Sequence, residues 1–136
     1  ADFSVPFRFM AARLKARHSI ILLSDVVDMV NDQAAIDFKL LRMLAAKHDM
    51  IVLILDDPDE FRVRSPLGYI RIADMETGKQ TVISARKAKA IRKDIEERRA
   101  ELQYQLKYKS GVDSVVLTPE NHAEVLPKFF ISRTAR

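Results

Sequence analysis

Apolar positions along the chain fall into two kinds of run, and the order of those runs predicts the elements. Phe7, Met10, Ala11 and Leu14 recur at helical spacing, so Phe7 to Lys15 reads as the end of a helix with Pro6 suited to its first turn. The next run, Ser19-Ile20-Ile21-Leu22-Leu23-Ser24-Asp25, is continuous rather than alternating. Such a run predicts a strand covered on both faces, as in a parallel sheet. From Ala35 to Lys47 the helical period returns through Ile36, Leu40, Met43 and Leu44, and Met50 to Leu55 is a second continuous strand. Strand, helix, strand predicts two parallel neighbours joined by a right-handed crossover.

Asp56-Asp57-Pro58-Asp59-Glu60 ends the second strand, because proline fixes its own φ and turns its predecessor away from the helical region. Two short runs, Tyr69 to Asp74 and Lys79 to Ile83, flank a turn containing Gly78 and predict an inserted β-hairpin. Ser84 is placed to cap a long helix over Ala85 to Lys109. Its apolar stripe is Ala88, Ile91, Ile95, Leu102 and Leu106, interrupted by Arg98 and Arg99, which favours packing on the sheet over a coiled coil. Ser110-Gly111 stops that helix, and Val112 to Leu117 supplies a third strand of the main sheet. In the tail, Thr118-Pro119-Glu120 can open a helical turn, whereas Pro127 argues against one uninterrupted helix. Leu126, Phe129 and Phe130 are expected to dock on the sheet, with Arg133 and Arg136 at the negative end of the last helix. The expected fold class is α/β, a Rossmann-like three-layer sandwich with a mostly parallel sheet and an inserted hairpin, in a single domain over residues 1–136.

Composition narrows the picture. With 136 residues and 48% apolar content the chain can bury one core, and its 31% charged residues are spread along the whole length, so no segment has a disordered composition. The absence of cysteine excludes disulfides, thiolate metal sites and a thiol nucleophile, and the cytoplasm is the expected location. No apolar run approaches the ~20 residues that span a bilayer. The N-terminal stretch, with Arg8 and Arg13, lacks the small-residue cleavage site of a signal peptide, and its abrupt start suggests a cut within a longer protein. Net charge is +4 and the isoelectric point near 9.5. The bases concentrate from Arg86 to Lys109, but Asp94, Glu96, Glu97 and Glu101 interrupt them, as on a solvated helix face. Nucleic-acid binding through Arg86, Lys87, Lys89, Arg92 and Lys93 is therefore the second reading, behind protein binding.

Parallel strands would bring Asp25, Asp56 and Asp57 to one edge of the sheet, where α/β folds bind ligands. With Ser24 and Asp28 they form a set of hard oxygen donors of the kind Mg²⁺ takes, set against the plainer expectation of hydrated acids in strand-to-helix loops. Gly68, Gly78 and Gly111 are too far apart to build a phosphate-cradling loop. His18, His48 and His122 lie at element boundaries without metal-site spacing and read as surface or capping residues. Ser24 lacks the glycine flanks of a nucleophile elbow, and Asp74-Met75-Glu76-Thr77-Gly78 lacks the alternating ligands of an EF-hand. No catalytic residue is assigned. A phosphotransfer or phosphatase reaction through Asp25 and Asp56 ranks last, for want of a general base and a phosphate cradle.

Ser19 to Asp25, Leu44-Ala45-Ala46-Lys47-His48-Asp49, Asp57-Pro58-Asp59-Glu60, Gly68, Asp74 to Gly78, and Phe129-Phe130-Ile131-Ser132-Arg133 resemble, in this order and spacing, successive motifs of one group. It is a bacterial family of uncharacterised proteins with a von Willebrand factor A-like domain, often encoded beside MoxR-type AAA+ ATPases. The resemblance covers nearly the whole chain and implies the C-terminal portion of such a domain, without its first half. It implies a non-enzymatic interaction module that partners a MoxR-type ATPase in assembling or maturing other protein complexes. It also implies a metal-ion-dependent adhesion site, of which only Asp25, within Ser24-Asp25, is matched. Asp2-Phe3-Ser4 is similar to the start of that site's Asp-x-Ser-x-Ser loop, but Pro6 stands where the second serine belongs. Metal binding, with Mg²⁺ as the ion, is thus expected of the full-length protein rather than of this chain alone. An edge of the first strand left uncovered by the missing half predicts a homodimer of the fragment.

Overall fold

Three parallel strands organise the chain. The computed structural model describes residues 3–25, 36–59, 68–73 and 78–134. In chain order the elements are α1 (Ser4–Arg13), β1 (Ser19–Asp25), α2 (Phe38–Lys47), β2 (Asp49–Leu55), β3 (Tyr69–Ala73), β4 (Gln80–Ser84), α3 (Ala85–Gln105), β5 (Asp113–Leu117) and α4 (His122–Thr134). A π-helical turn, Leu106–Ser110, extends α3 toward β5. The main sheet has the order β1-β2-β5 and is parallel throughout, with Ser19 opposite Asp49, Asp25 opposite Leu55, and Leu55 in turn opposite Leu117. β3 and β4 form a separate antiparallel pair, as the two short runs predict, and the amide of Ala85 donates to the Gly68 carbonyl at 2.7 Å to close its base.

β2 is buried from Met50 to Ile54 because strands flank it on both edges and helices cover both faces. Met50, Val52 and Ile54 pack with Phe7 of α1, Leu41 and Leu44 of α2, and Leu102 and Leu106 at the end of the long helix. Ile51 and Leu53 point the other way and meet Leu117, Val115 and the Val125, Leu126 and Phe129 face of α4. The result is a Rossmann-like α/β sandwich with helices above and below a parallel sheet. Each fully buried aliphatic side chain contributes about 1.5–3 kcal/mol to this core. Among the described residues no helix is long and apolar enough to cross a membrane.

β1 departs from the expected two-sided burial. Ile20 and Leu22 are half-buried against the helical layer, but Ile21 and Leu23 are 56% and 59% exposed. The apolar side chains of α4 pack on β2 and β5, so among the described residues nothing buries the corresponding face of β1.

Helix ends follow local chemistry. The Asp37 side chain accepts from the Leu40 amide at 2.9 Å and sets the start of α2, while Ser84 Oγ accepts from the Lys87 amide at 3.3 Å at the start of α3. Gly111 adopts φ 73°, and the amides of Gly111 and Val112 donate to the carbonyls of Lys107 and Leu106, the left-handed stop expected there. Pro127, in contrast, lies inside an unbroken α4. It is exposed, and the docking of Val125, Leu126 and Phe129 on the sheet outweighs the backbone hydrogen bond that proline forgoes.

Candidate functional site

The parallel register carries the ends of β1, β2 and β5 to one edge of the sheet. Ser24 is half-buried and Asp25 exposed at the end of β1, opposite Ile54 and Leu55. Ser24 Oγ donates to the Asp25 carbonyl at 3.4 Å. Asp56 and Asp57 continue directly from β2, and the Asp56 amide donates to the Leu117 carbonyl at 2.8 Å, prolonging the ladder by one bond. After β5, the Thr118 amide donates to Asn121 Oδ1 and the Asn121 amide to Thr118 Oγ1, at 2.8 and 3.2 Å, which turns the chain into α4.

The carboxylates at this rim differ sharply in environment. Asp57 is exposed, and its Oδ1 accepts from the Asp59 amide at 2.9 Å, an Asx turn that bends the chain around Pro58. The Asp56 side chain keeps only 5% of its surface. Arg92 of α3 grips it with two guanidinium N–H groups at 2.7 and 2.6 Å, and Arg99 adds a third hydrogen bond at 2.5 Å. Arg92 Nε also donates to Glu96 at 2.9 Å. Burial by itself would raise the Asp56 carboxyl, but the hydrogen bonds and charge of Arg92 and then Arg99 bring it below the ordinary carboxylate value. The same contact, against the opposing effect of burial, holds the Arg92 guanidinium above its ordinary value. Asp56 thus ties the long helix to the central strand.

The expected rim is therefore assembled in part. The register puts Ser24, Asp25, Asp56 and Asp57 at one end of the sheet, with Asp25 and Asp57 open to solvent and Asp56 engaged by two arginines. Asp28 and residues 74–77 of the hairpin turn lie outside the described residues. Ser24 and Asp25 have the right chemistry for a hard cation, yet they supply few of the roughly six oxygens that Mg²⁺ demands. Among the described residues no group of three or more acidic or histidine side chains is placed to hold a metal ion.

The arginine clamp went unread in the sequence, although a signal was present. Ala88, Arg92, Ile95, Arg99, Leu102 and Leu106 follow alternating steps of four and three along α3. Two arginines on the inward stripe of a helix demand a carboxylate opposite them. Along its own length the helix also pairs Arg92 with Glu96, Lys93 with Glu97 and Arg98 with Asp94.

A family model described as protein of unknown function DUF58 matches residues 1–105. The chain belongs to this family. The DUF58 match takes in β1, β2, the hairpin and α3, and so includes Ser24, Asp25, Asp56, Asp57 and both arginines of the clamp. No curated protein and no solved structure matches the chain.

Proposed function

We propose that this DUF58 chain is a non-enzymatic protein-interaction module of von Willebrand A-like kind, acting in the cytoplasm with a MoxR-type AAA+ ATPase in the assembly or maturation of other complexes. The observation that carries the proposal is the rim at the C-terminal ends of β1 and β2, where Ser24, Asp25 and Asp57 sit at one end of a rigid parallel sheet while Asp56 is withdrawn into the arginine clamp. Clamping the strand end to α3 fixes the backbone from which Asp57 projects, and the Ser24-Asp25 pair is carried on the neighbouring strand in fixed register. Bound there, Mg²⁺ would supply a hard Lewis acid able to accept a carboxylate from a partner protein. Ser24 and Asp25 would be its residues in this chain, as a partial adhesion site.

The test is capture of a MoxR-type ATPase by the full-length protein, with and without Asp25→Ala and with and without EDTA. Capture that falls tenfold or more, the ~1.4 kcal/mol of one good polar contact, in the variant and in EDTA supports the reading. Unaltered capture by a folded Asp25→Ala protein removes Asp25 from the interaction. The proposal includes self-association of this chain through the outer edge of β1, supported by the exposed Ile21 and Leu23.

A further inference from the structure

His48 is placed where an imidazole is costly. It caps the C-terminus of α2 immediately before β2, as its position in the sequence suggests, but is 2% exposed rather than at the surface. Its Nδ1 accepts the His18 amide at 3.3 Å, which puts the ring proton on Nε2. Among the described residues Nε2 has no hydrogen-bond partner, and it is buried. The Asp49 amide donates to the His18 carbonyl at 2.9 Å, and the two rings lie tilted with centroids 5.6 Å apart. One residue therefore joins the approach to β1, the end of α2 and the start of β2.

Among the described residues, the charged groups around this corner offer an added proton no anion. Lys47 on α2 and His18 ahead of β1 both oppose a positive ring, and the Lys47 ammonium is itself held by the Leu14 carbonyl at 2.6 Å. Arg13, at the end of α1, is a further cation. Asp49 of β2 and Asp113 of β5 are taken up by Arg133 of α4, and Asp113 also by Lys107 of the π-helical turn. Lys109 of that turn lies over the Phe38 ring at 5.2 Å.

We propose that His48 is a proton-sensitive clasp, which fastens the start of β1 to the α2–β2 corner when neutral and releases it when charged. A second proton has to enter at Nδ1, the atom that accepts the His18 amide, so protonation removes the acceptor and leaves a cation in a buried pocket. Burial, then Lys47 and His18, hold the imidazole below its ordinary value of 6.5. The clasp therefore contributes fully above pH 6.5, and its contribution is lost as pH falls from there through the folded value.

The test is urea unfolding of the whole chain from about pH 8 to about pH 5, compared with His48→Asn, whose side-chain oxygen can accept the His18 amide without titrating. His18→Ala, which keeps that backbone amide, is the control for the neighbouring imidazole. The wild-type and His18→Ala midpoints are expected to fall with acid while that of His48→Asn stays flat across the histidine range. In parallel, NMR of the wild type should find His48 as the Nε2–H tautomer, more than half of it neutral at pH 6.5, with hydrogen exchange of the His18 and Asp49 amides accelerating as it titrates. A His48 ring that titrates at or above 6.5, or equal acid losses in wild type and His48→Asn, overturns the proposal. Should His48→Asn fail to fold, the NMR titration of the wild type decides alone.

Discussion

Replacing Asp56 with alanine removes the acceptor of three charge-assisted hydrogen bonds at 2.7, 2.6 and 2.5 Å and leaves two guanidinium groups facing each other. Breaking a buried ion pair from one side costs about 3–5 kcal/mol, chiefly because the surviving charge is left uncompensated. Here each arginine side chain retains 18% of its surface, and Glu96 still holds Arg92, so water and one carboxylate recover part of that cost. A loss of about 2–4 kcal/mol follows, which at this chain length lowers the melting temperature by on the order of 10 °C. Asp56→Asn keeps one acceptor without the charge and should fall between the two. The measurement is urea unfolding followed by circular dichroism near neutral pH, repeated at high salt, where an exposed pair fades and this one should persist. Because the folded Asp56 value lies below the ordinary 3.8, its contribution is complete above that pH and lost as pH falls through the folded value. The gap between wild type and variant should therefore close only in strong acid. A loss below about 1 kcal/mol, the range of solvent-exposed pairs, would refute the assignment of Asp56 as the tie between β2 and α3.

Two further outcomes are expected. Gly111→Ala should cost about 1–2 kcal/mol through the left-handed backbone alone, since among the described residues nothing lies within 4 Å of an added Cβ; an unchanged urea midpoint would exclude the strained stop. A second copy of the chain pairing antiparallel along β1, centred on Leu22, would set Ile21 opposite Leu23 and Ser19 opposite Asp25, so no like charges meet. Light scattering after size exclusion should then show a dimer, lost in Leu23→Lys; a wild-type monomer at high micromolar concentration would rule this out.

The parallel sheet was legible because Ile20 to Leu23 and Met50 to Leu55 are continuous apolar runs joined by a crossover helix, and Val115 to Leu117 adds a shorter one after the hairpin and the long helix. What such a run does not encode is how many of its faces find a cover. Identical-looking leucines and isoleucines are buried in β2 and open in β1, and the difference lies in the placement of α4, set by Val125, Leu126 and Phe129 far along the chain. Asp25, Asp56 and Asp57 were legible as neighbours at one end of the sheet, since parallel pairing brings the ends of adjacent strands together. Their division of labour was not, because the partners of Asp56 stand 36 and 43 residues away, where Arg99 looks like an interruption of the apolar stripe and Arg92 like one base of a solvated face. Pro127 misled for a related reason, as local propensity yields where a helix face has a sheet to pack on.

α4 leaves the top of the sheet beyond β5 and runs back to its bottom, where Arg133 bonds at once to Asp49 and Asp113, the first residues of β2 and β5. A pull applied at Thr134 would first meet this staple, rather than peel Phe129 from its seat. Tension would pass into two adjacent strands together, loading their ladder in shear instead of opening it one bond at a time.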